Sequence, residues 1–282
     1  MEQNAHPRPA GDRRRQPRNS EPQWRTALTR IEKNRILIRG YPVDEMMGRT
    51  DFGEAVYLLL VGELPTPAIG RMISAILVSS LDHGATPPST VISRNVATTG
   101  APLRAAVAAG VLGFGRHHGG DVEACMRFLD GGVALLEHGQ TTAEAAAAIV
   151  QSALQSGTPP PGFGHRLHTH DPRAVRLLQL AMDFELDGDH VHLARDVERA
   201  LSSRNGAEEP WPLNVDGAIA AICGDLGLDY ELGNALFIIS RVPGLIAHAH
   251  EERVRQHPMR QINPQDHIYD GPSERRLPTI PA

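Results

Sequence analysis

Cysteine is nearly absent. Two residues in 282, Cys125 and Cys223, exclude a disulfide framework, and they do not stand at metal-ligand spacing. This suits a reducing compartment and leads us to expect a cytoplasmic protein. There is no excess of basic charge either: 28 Lys and Arg against 33 Asp and Glu give a net charge of −5 and a pI near 6.3. Such a balance gives no electrostatic footprint for nucleic acid. Residues 1–21 are rich in Arg, Pro and Asn without an apolar core. They read as a disordered tail, neither a secretory signal nor a membrane anchor, and no membrane partner is expected. Period-two alternation does not recur and no fixed-period repeat is visible. The Gly-Phe-Gly stretches at 113–115 and 162–164 lack the strand context of a phosphate-binding fingerprint.

What is present is helical. Apolar residues make up 41% of the chain, enough for a buried core in one large or two modest domains. The short run from Ile36 to Gly40, ending in Arg39-Gly40-Tyr41-Pro42, predicts a small hairpin or extended segment. Asp51-Phe52-Gly53-Glu54 looks like a capped helix start, and Ile69, Met72, Ile73, Ile76 and Leu77 give the next helix one buried face. Ser89 or Thr90 is expected to cap the helix that follows. Leu103 to Leu112, with small residues at Ala105, Ala109 and Gly110, predicts a central packed helix. Thr141 or Thr142 caps an Ala-rich helix, Ala174 to Phe184 is amphipathic, and Pro243 is expected to kink or interrupt the last long helix. The fold class is all-α.

Polar loops interrupt this pattern. Gly162 to Arg173 reads Gly-Phe-Gly-His-Arg-Leu-His-Thr-His-Asp-Pro-Arg, and Leu81-Asp82-His83-Gly84, Arg116-His117-His118-Gly119-Gly120 and Leu213-Asn214-Val215-Asp216-Gly217 accompany it. Asp216 admits two readings. Burial would raise its pKa and make a stronger base, while a helix N-terminus would favour the charged form or use the residue as a cap. His165, His118 and His83 taken singly also read as hydrogen-bonded structural histidines. The pairs His168/His170, His190/His192 and His248/His250 read as helix surface, not metal ligands, and no metal site is expected. Arg94, Arg104 and Arg166 read equally as phosphate contacts or surface ion pairs.

Taken together, these loops resemble the citrate synthase superfamily, which includes the synthases, the citryl-CoA lyases and the lyase domain of ATP-citrate lyase. Arg39-Gly40-Tyr41-Pro42, the stretch from Tyr57 to Pro65, and Ser240-Arg241-Val242-Pro243-Gly244-Leu245-Ile246-Ala247-His248 support the likeness, in family order, from about Leu28 to Gly271. The pattern is closest to the lyases in Asp82-His83-Gly84 and in Leu213 to Gly217. Asn263-Pro264 stands where many synthases carry an Arg-Pro motif.

The resemblance implies an all-helical fold in which a large domain, 22–120 with 229–282, and a small domain, 121–228, close over a cleft. It implies that Asp216 exchanges a proton with the methyl carbon of an acetyl thioester, that His118 stabilises the enolate oxygen, and that His165 serves the oxygen at the carbon attacked. His83, Arg173 and Arg241 would bind the dicarboxylate part; of the arginines read from charge alone, Arg166 is the candidate coenzyme contact. No permanently bound cofactor is implied; a coenzyme A thioester enters as substrate, and the expected partner is a second copy in a homodimer or higher oligomer. The expected reaction is cleavage of citryl-CoA to acetyl-CoA and oxaloacetate. The alternatives are a citrate or 2-methylcitrate synthase, and a catalytically silent acyl-CoA-binding regulator.

Overall fold

The computed structural model describes residues 25–115, 118–119, 121–205, 211–261 and 263–277. The tail expected over 1–21, and His117 of the histidine loop, lie outside these. Backbone contacts divide the chain into Met1–Arg49 and Thr50–Ala282.

The first unit holds the only sheet among the described residues. β1 (Thr29–Glu32), β2 (Arg35–Ile38) and β3 (Tyr41–Pro42) pair antiparallel in that order, with Thr29 opposite Ile38 and Leu37 opposite Pro42. Arg39 and Gly40 turn between β2 and β3 with φ of 49° and 92°, the left-handed pair that matches the twist of a tight hairpin. The expected hairpin is therefore present, and a short helix, α1 (Val43–Met46), follows it.

The second unit is helical: α2 (Phe52–Val61), α3 (Pro67–Ser79), α4 (Pro88–Ala97), α5 (Leu103–Leu112), α6 (Asp121–Glu137), α7 (Thr142–Gln155), α8 (Pro172–Asp183), α9 (Asp189–Asn205), α10 (Val215–Asp225) and α11 (Tyr230–Arg255). The caps explain many of the starts. Glu54 accepts from the Asp51 amide at 2.9 Å, Thr66 accepts from the Ile69 amide ahead of Pro67, and Thr141 exchanges bonds with Glu144. Neither Ser89 nor Thr90 is a cap. Both lie buried inside α4, which starts after Pro87 with no side-chain cap. The hydroxyl of Ser89 is turned towards His118 instead.

α10 is the centre of the main core. Ala218 through Cys223 are all fully buried, so the helix is apolar on every side, as a helix enclosed by others must be. α6, α8 and α9 surround it. α5 is not central: only Ala106 and Gly110 are buried, against α4 and α11, and Leu112 is 85% exposed. Its small residues serve one close-packed side. α11 is also not interrupted. It runs as one helix from Tyr230 to Arg255 through Pro243, with Ser240 and Arg241 each donating to carbonyls of the α3 end, Leu77 and Ser80. By length and composition α11 is apolar enough to cross a membrane; here it packs against α3, α4, α5 and α6.

Candidate active site

Two loops are stitched together to make the site. The amide of Gly164 donates to Pro212 O at 2.8 Å, the amide of Asn214 to Gly162 O at 3.1 Å, and Phe163 forms an antiparallel bridge with Leu213. Glycine is required at the junction. Gly162 has φ of 81°, and a Cβ there would lie 2.5 Å from Cys125 Sγ and 2.7 Å from Gly217 Cα. A Cβ on Gly217 would in turn run into the Gly162 carbonyl. Asn214 closes the joint: its Oδ1 accepts from the amides of Asp216 and Gly217 at 3.0 and 3.1 Å, and its Nδ2 donates to Gly164 O at 3.0 Å. Asn214 is thus the N-cap of α10, and the cap reading of Asp216 falls away. The loop carrying His165 and the helix start carrying Asp216 become one structure.

Asp216 is only partly buried as a residue, yet its Oδ1 is closed off from solvent and has no hydrogen-bond partner among the described residues. Its pKa is raised to about 6, first by burial and then by the charge of Asp121, against the opposing pull of Arg173 and Arg241. Burial therefore prevails over the favourable helix N-terminus.

The histidines have assigned proton positions. His165 Nδ1 accepts from the backbone amides of Leu167 and His168 at 3.0 and 2.9 Å, so the neutral ring carries its proton on Nε2. His118 is the reverse: Nε2 accepts from the Ser89 amide at 3.3 Å and lies 2.8 Å from Ser89 Oγ, which leaves the proton on Nδ1. Burial is the leading cause that lowers the pKa of both, followed by His168 at His165 and by Arg241 at His118. His83 is also lowered by burial and then by Arg173 and Arg241, and its ring meets that of His165 edge-on, centroids 6.2 Å apart. All three are favoured as neutral hydrogen-bonding groups near pH 7.

Arg241 is 2% exposed; its Nε donates to Ser80 O at 2.9 Å and its guanidinium lies 4.9 Å over the Phe237 ring. Arg173, at the second position of α8, is bound edge-on by Asp171, with Nε to Oδ1 at 3.0 Å and Nη2 to Oδ2 at 2.8 Å. Asp216 feels the charges of Arg173, Arg241 and Asp171, and His83 and His118 feel that of Arg241. His83, His118, His165, Asp216, Arg173 and Arg241 therefore form one electrostatic set. Arg166 stands apart: it is exposed, and its charge is not a cause of any shift in that set. Of the other arginines, Arg94 is committed to the buried Glu252 at 2.9 Å, which Arg260 also holds, and so is no phosphate contact.

Sequence reasoning missed Asp171 and Ser89 as parts of this site. Asp171 is 1% exposed and was hidden in an ordinary Asp-Pro helix start; Ser89 looked like a cap. Two cavities flank the set. One of about 500 Å³ is lined by Asp82, His248, His250 and Glu251 among others, and one of about 410 Å³ between α3 and α8 is lined by Arg173 and Arg176 with apolar residues. Neither is lined by Asp216, His118 or His165.

The family sequence pattern described as the citrate synthase C-terminal domain matches residues 65–265. The chain belongs to the citrate synthase family. Within it, a solved structure of citryl-CoA lyase from Hydrogenobacter thermophilus is 41% identical, with a TM-score of 0.83, over 91% of this chain and 98% of that one. Citrate synthase from Pyrobaculum aerophilum is 28% identical with a TM-score of 0.64, over 81% of this chain and 54% of that one. Citrate synthase 2 of Bacillus subtilis is 29% identical over 82% of this chain and 60% of its own length. The chain spans about half the length of the first curated relatives it matches, between 36% and 60%. The all-α, citrate synthase-like expectation is borne out, and the small sheet holds the hairpin expected near Arg39-Gly40.

Proposed function

We propose that this protein is a citryl-CoA lyase-type enzyme that cleaves citryl-CoA to acetyl-CoA and oxaloacetate by a retro-Claisen reaction. The observation that carries the reading is a buried, partnerless carboxylate oxygen on Asp216, with its pKa near neutrality, set among histidines of fixed tautomer. The likeness to citryl-CoA lyase along nearly all of both chains favours the cleavage direction.

In that direction the hydroxyl proton of citryl-CoA passes to Nε2 of His165 once that ring carries its own proton on Nδ1, the hydroxyl oxygen becomes the ketone of oxaloacetate, and the carbon–carbon bond breaks with its electrons entering the thioester as an enolate. His118 Nδ1–H donates to the enolate oxygen. Asp216 returns a proton to the carbon that becomes the methyl of acetyl-CoA. With a pKa of about 6, about a tenth of its carboxyl groups hold that proton at pH 7. After the transfer His165 Nε2–H donates a hydrogen bond to the new ketone oxygen. For its Nε2 to take the hydroxyl proton, the ring's own proton must pass to Nδ1, with loss of both amide bonds there. Arg173 and Arg241 grip carboxylates, with His83 beside them.

The second reading, favoured by the curated synthase relatives, is condensation of acetyl-CoA or another acyl-CoA with oxaloacetate. We also infer that 121–228 moves as a small domain, that the coenzyme enters only as substrate, and that the protein is a homodimer or larger. Leu112, Val91 and Val254 on α5, α4 and α11 are exposed and apolar. Sedimentation as a monomer at working concentration would count against that assembly.

Incubating wild type and Asp216→Asn with citryl-CoA, while resolving acetyl-CoA, oxaloacetate, citrate and free CoA, tests the function. Acetyl-CoA and oxaloacetate, lost in the variant, are the expected products. Citrate with free CoA indicates the synthase, and absence of turnover removes the lyase reading.

A further inference from the structure

An arginine at the second position of a helix is poorly placed, because the helix N-terminus is already the positive end of its dipole. Arg173 occupies that position in α8 and is mostly buried, its side chain 22% exposed. Its neighbour explains how it is kept there. The Asp171 carboxylate is fully enclosed and uses both oxygens: Oδ1 accepts from the Arg173 amide and from Arg173 Nε, each at 3.0 Å, and Oδ2 accepts from Arg173 Nη2 at 2.8 Å and from the Val215 amide at 3.0 Å. Val215 is the residue before Asp216.

We propose that Asp171 is a positioning residue that fixes the carboxylate-binding edge of Arg173 relative to Asp216. Asp171 takes the side-on edge of the guanidinium, through Nε and Nη2, and so leaves the end-on edge of Nη1 and Nη2 for a substrate carboxylate in bidentate geometry. The same carboxylate holds the first turn of α10. The cation that binds the dicarboxylate and the acid that serves the acetyl carbon are thereby referred to one buried anchor across 44 residues of chain. Ordering the long arginine side chain before substrate arrives removes an entropic cost from binding. The inference rests on the reading of Arg173 as the ligand of the dicarboxylate part.

Asp171→Ser is the informative change, since serine still caps α8 through the Arg173 amide while releasing the guanidinium. Oxaloacetate affinity should weaken by about tenfold or more, with the affinity for free CoA changed less than about twofold. In an Arg173→Met background the same Asp171→Ser change should have no further effect on oxaloacetate affinity, because its action passes through Arg173. Arg173→Met with Asp171 intact supplies the fourth corner of that cycle. The ¹⁵N-resolved Nε–H signal of Arg173, protected from exchange in wild type, should lose its protection in Asp171→Ser. Unchanged oxaloacetate affinity and unchanged Nε–H protection in a folded Asp171→Ser protein overturn the proposal, as do effects that simply multiply in the double variant. Wild type that binds no oxaloacetate overturns the proposed function and this inference with it; a loss confined to Asp171→Ser does not touch the function.

Discussion

Helix α10 ends in an aspartate on both sides, and the two are handled in opposite ways. Asp216 lies in the first turn, where the exposed amides favour a negative charge, and Asp225 closes the last turn, where the carbonyls oppose it. The helix alone would stabilise the first and penalise the second. The surroundings reverse this. Asp225 accepts from the amides of Gly188, His190 and Val191 at 2.7, 2.9 and 3.1 Å, and lies 3.0 Å from His190 Nδ1. His190 Nε2 meets Asp130 at 2.6 Å, and Tyr230 donates to the other oxygen of Asp130. Asp216 has an orphaned oxygen and a raised pKa. One end of the helix is spent on holding α6, α9, α10 and α11 together; the other is left unsatisfied, the state expected of the proton-transfer group proposed above.

Removing the acid at the reactive end should do most. Asp216→Asn is expected to lower the turnover of citryl-CoA by about 100- to 10,000-fold, measured by product formation, with the helical far-ultraviolet circular dichroism unchanged. A loss below about tenfold would break the comparison. At the opposite end, Asp225→Asn keeps one acceptor oxygen but sets an amide donor against the pair of donors at the other and removes the charge facing His190; it should destabilise the fold by about 3 kcal/mol, read from denaturant midpoints, with the remaining folded enzyme still turning over.

A smaller effect runs the other way. The folded pKa of Asp216 is raised to about 6 from an unfolded value of about 3.9, so the folded state holds the extra proton between them and stability falls as pH rises through that window. Asp216→Asn should therefore be more stable than wild type at pH 8, by about 1–3 kcal/mol, and this gain should vanish at pH 4. Equal stabilities at pH 8 would mean that the carboxylate is satisfied after all.

The smallest expected effect lies at the paired end, in His190. Burial pulls the pKa of His190 down, but its hydrogen bonds and the charges of Asp225 and Asp130 hold it above the usual value. Its contribution to stability is full below pH 6.5, its ordinary value, and fades as pH rises through the raised folded pKa. The groups facing it are Asp225 on α10 and Asp130 on α6, with Tyr230 of α11 and Arg127 beyond Asp130. A His190→Gln variant should lack this alkaline decline in melting temperature; a parallel decline in both proteins would assign it elsewhere.

The sequence made much of this legible, where the signal was local. The apolar spacing of Ile69, Met72, Ile73, Ile76 and Leu77 fixes the buried face of α3, and Thr141 and Asp51 mark helix starts through their partners three residues on. The polar loops bearing His83, His118, His165 and Asp216 stood out against apolar helices and do meet in space. What was hidden depends on distant partners. His190 looked like a surface histidine because its two carboxylates come from residues 35 and 60 positions away. Asn214 was obscured by Asp216, a better-known capping type two residues later. The small residues of α5 fit an enclosed helix and a one-sided one equally, and Pro243 is tolerated because α11 is braced through its neighbouring side chains.

The meeting of Gly162 with Gly217 also bears on how such a site can evolve. Backbone meets backbone at the junction, with Cys125 and Leu213 packed against it, so any side chain larger than glycine at 162 or 217 would first have to push the two loops apart. Changes of substrate preference at the proposed site would fall more readily on groups that are not part of this joint, such as Arg173 or His83. The joint between the loops is therefore less open to change than the groups around it.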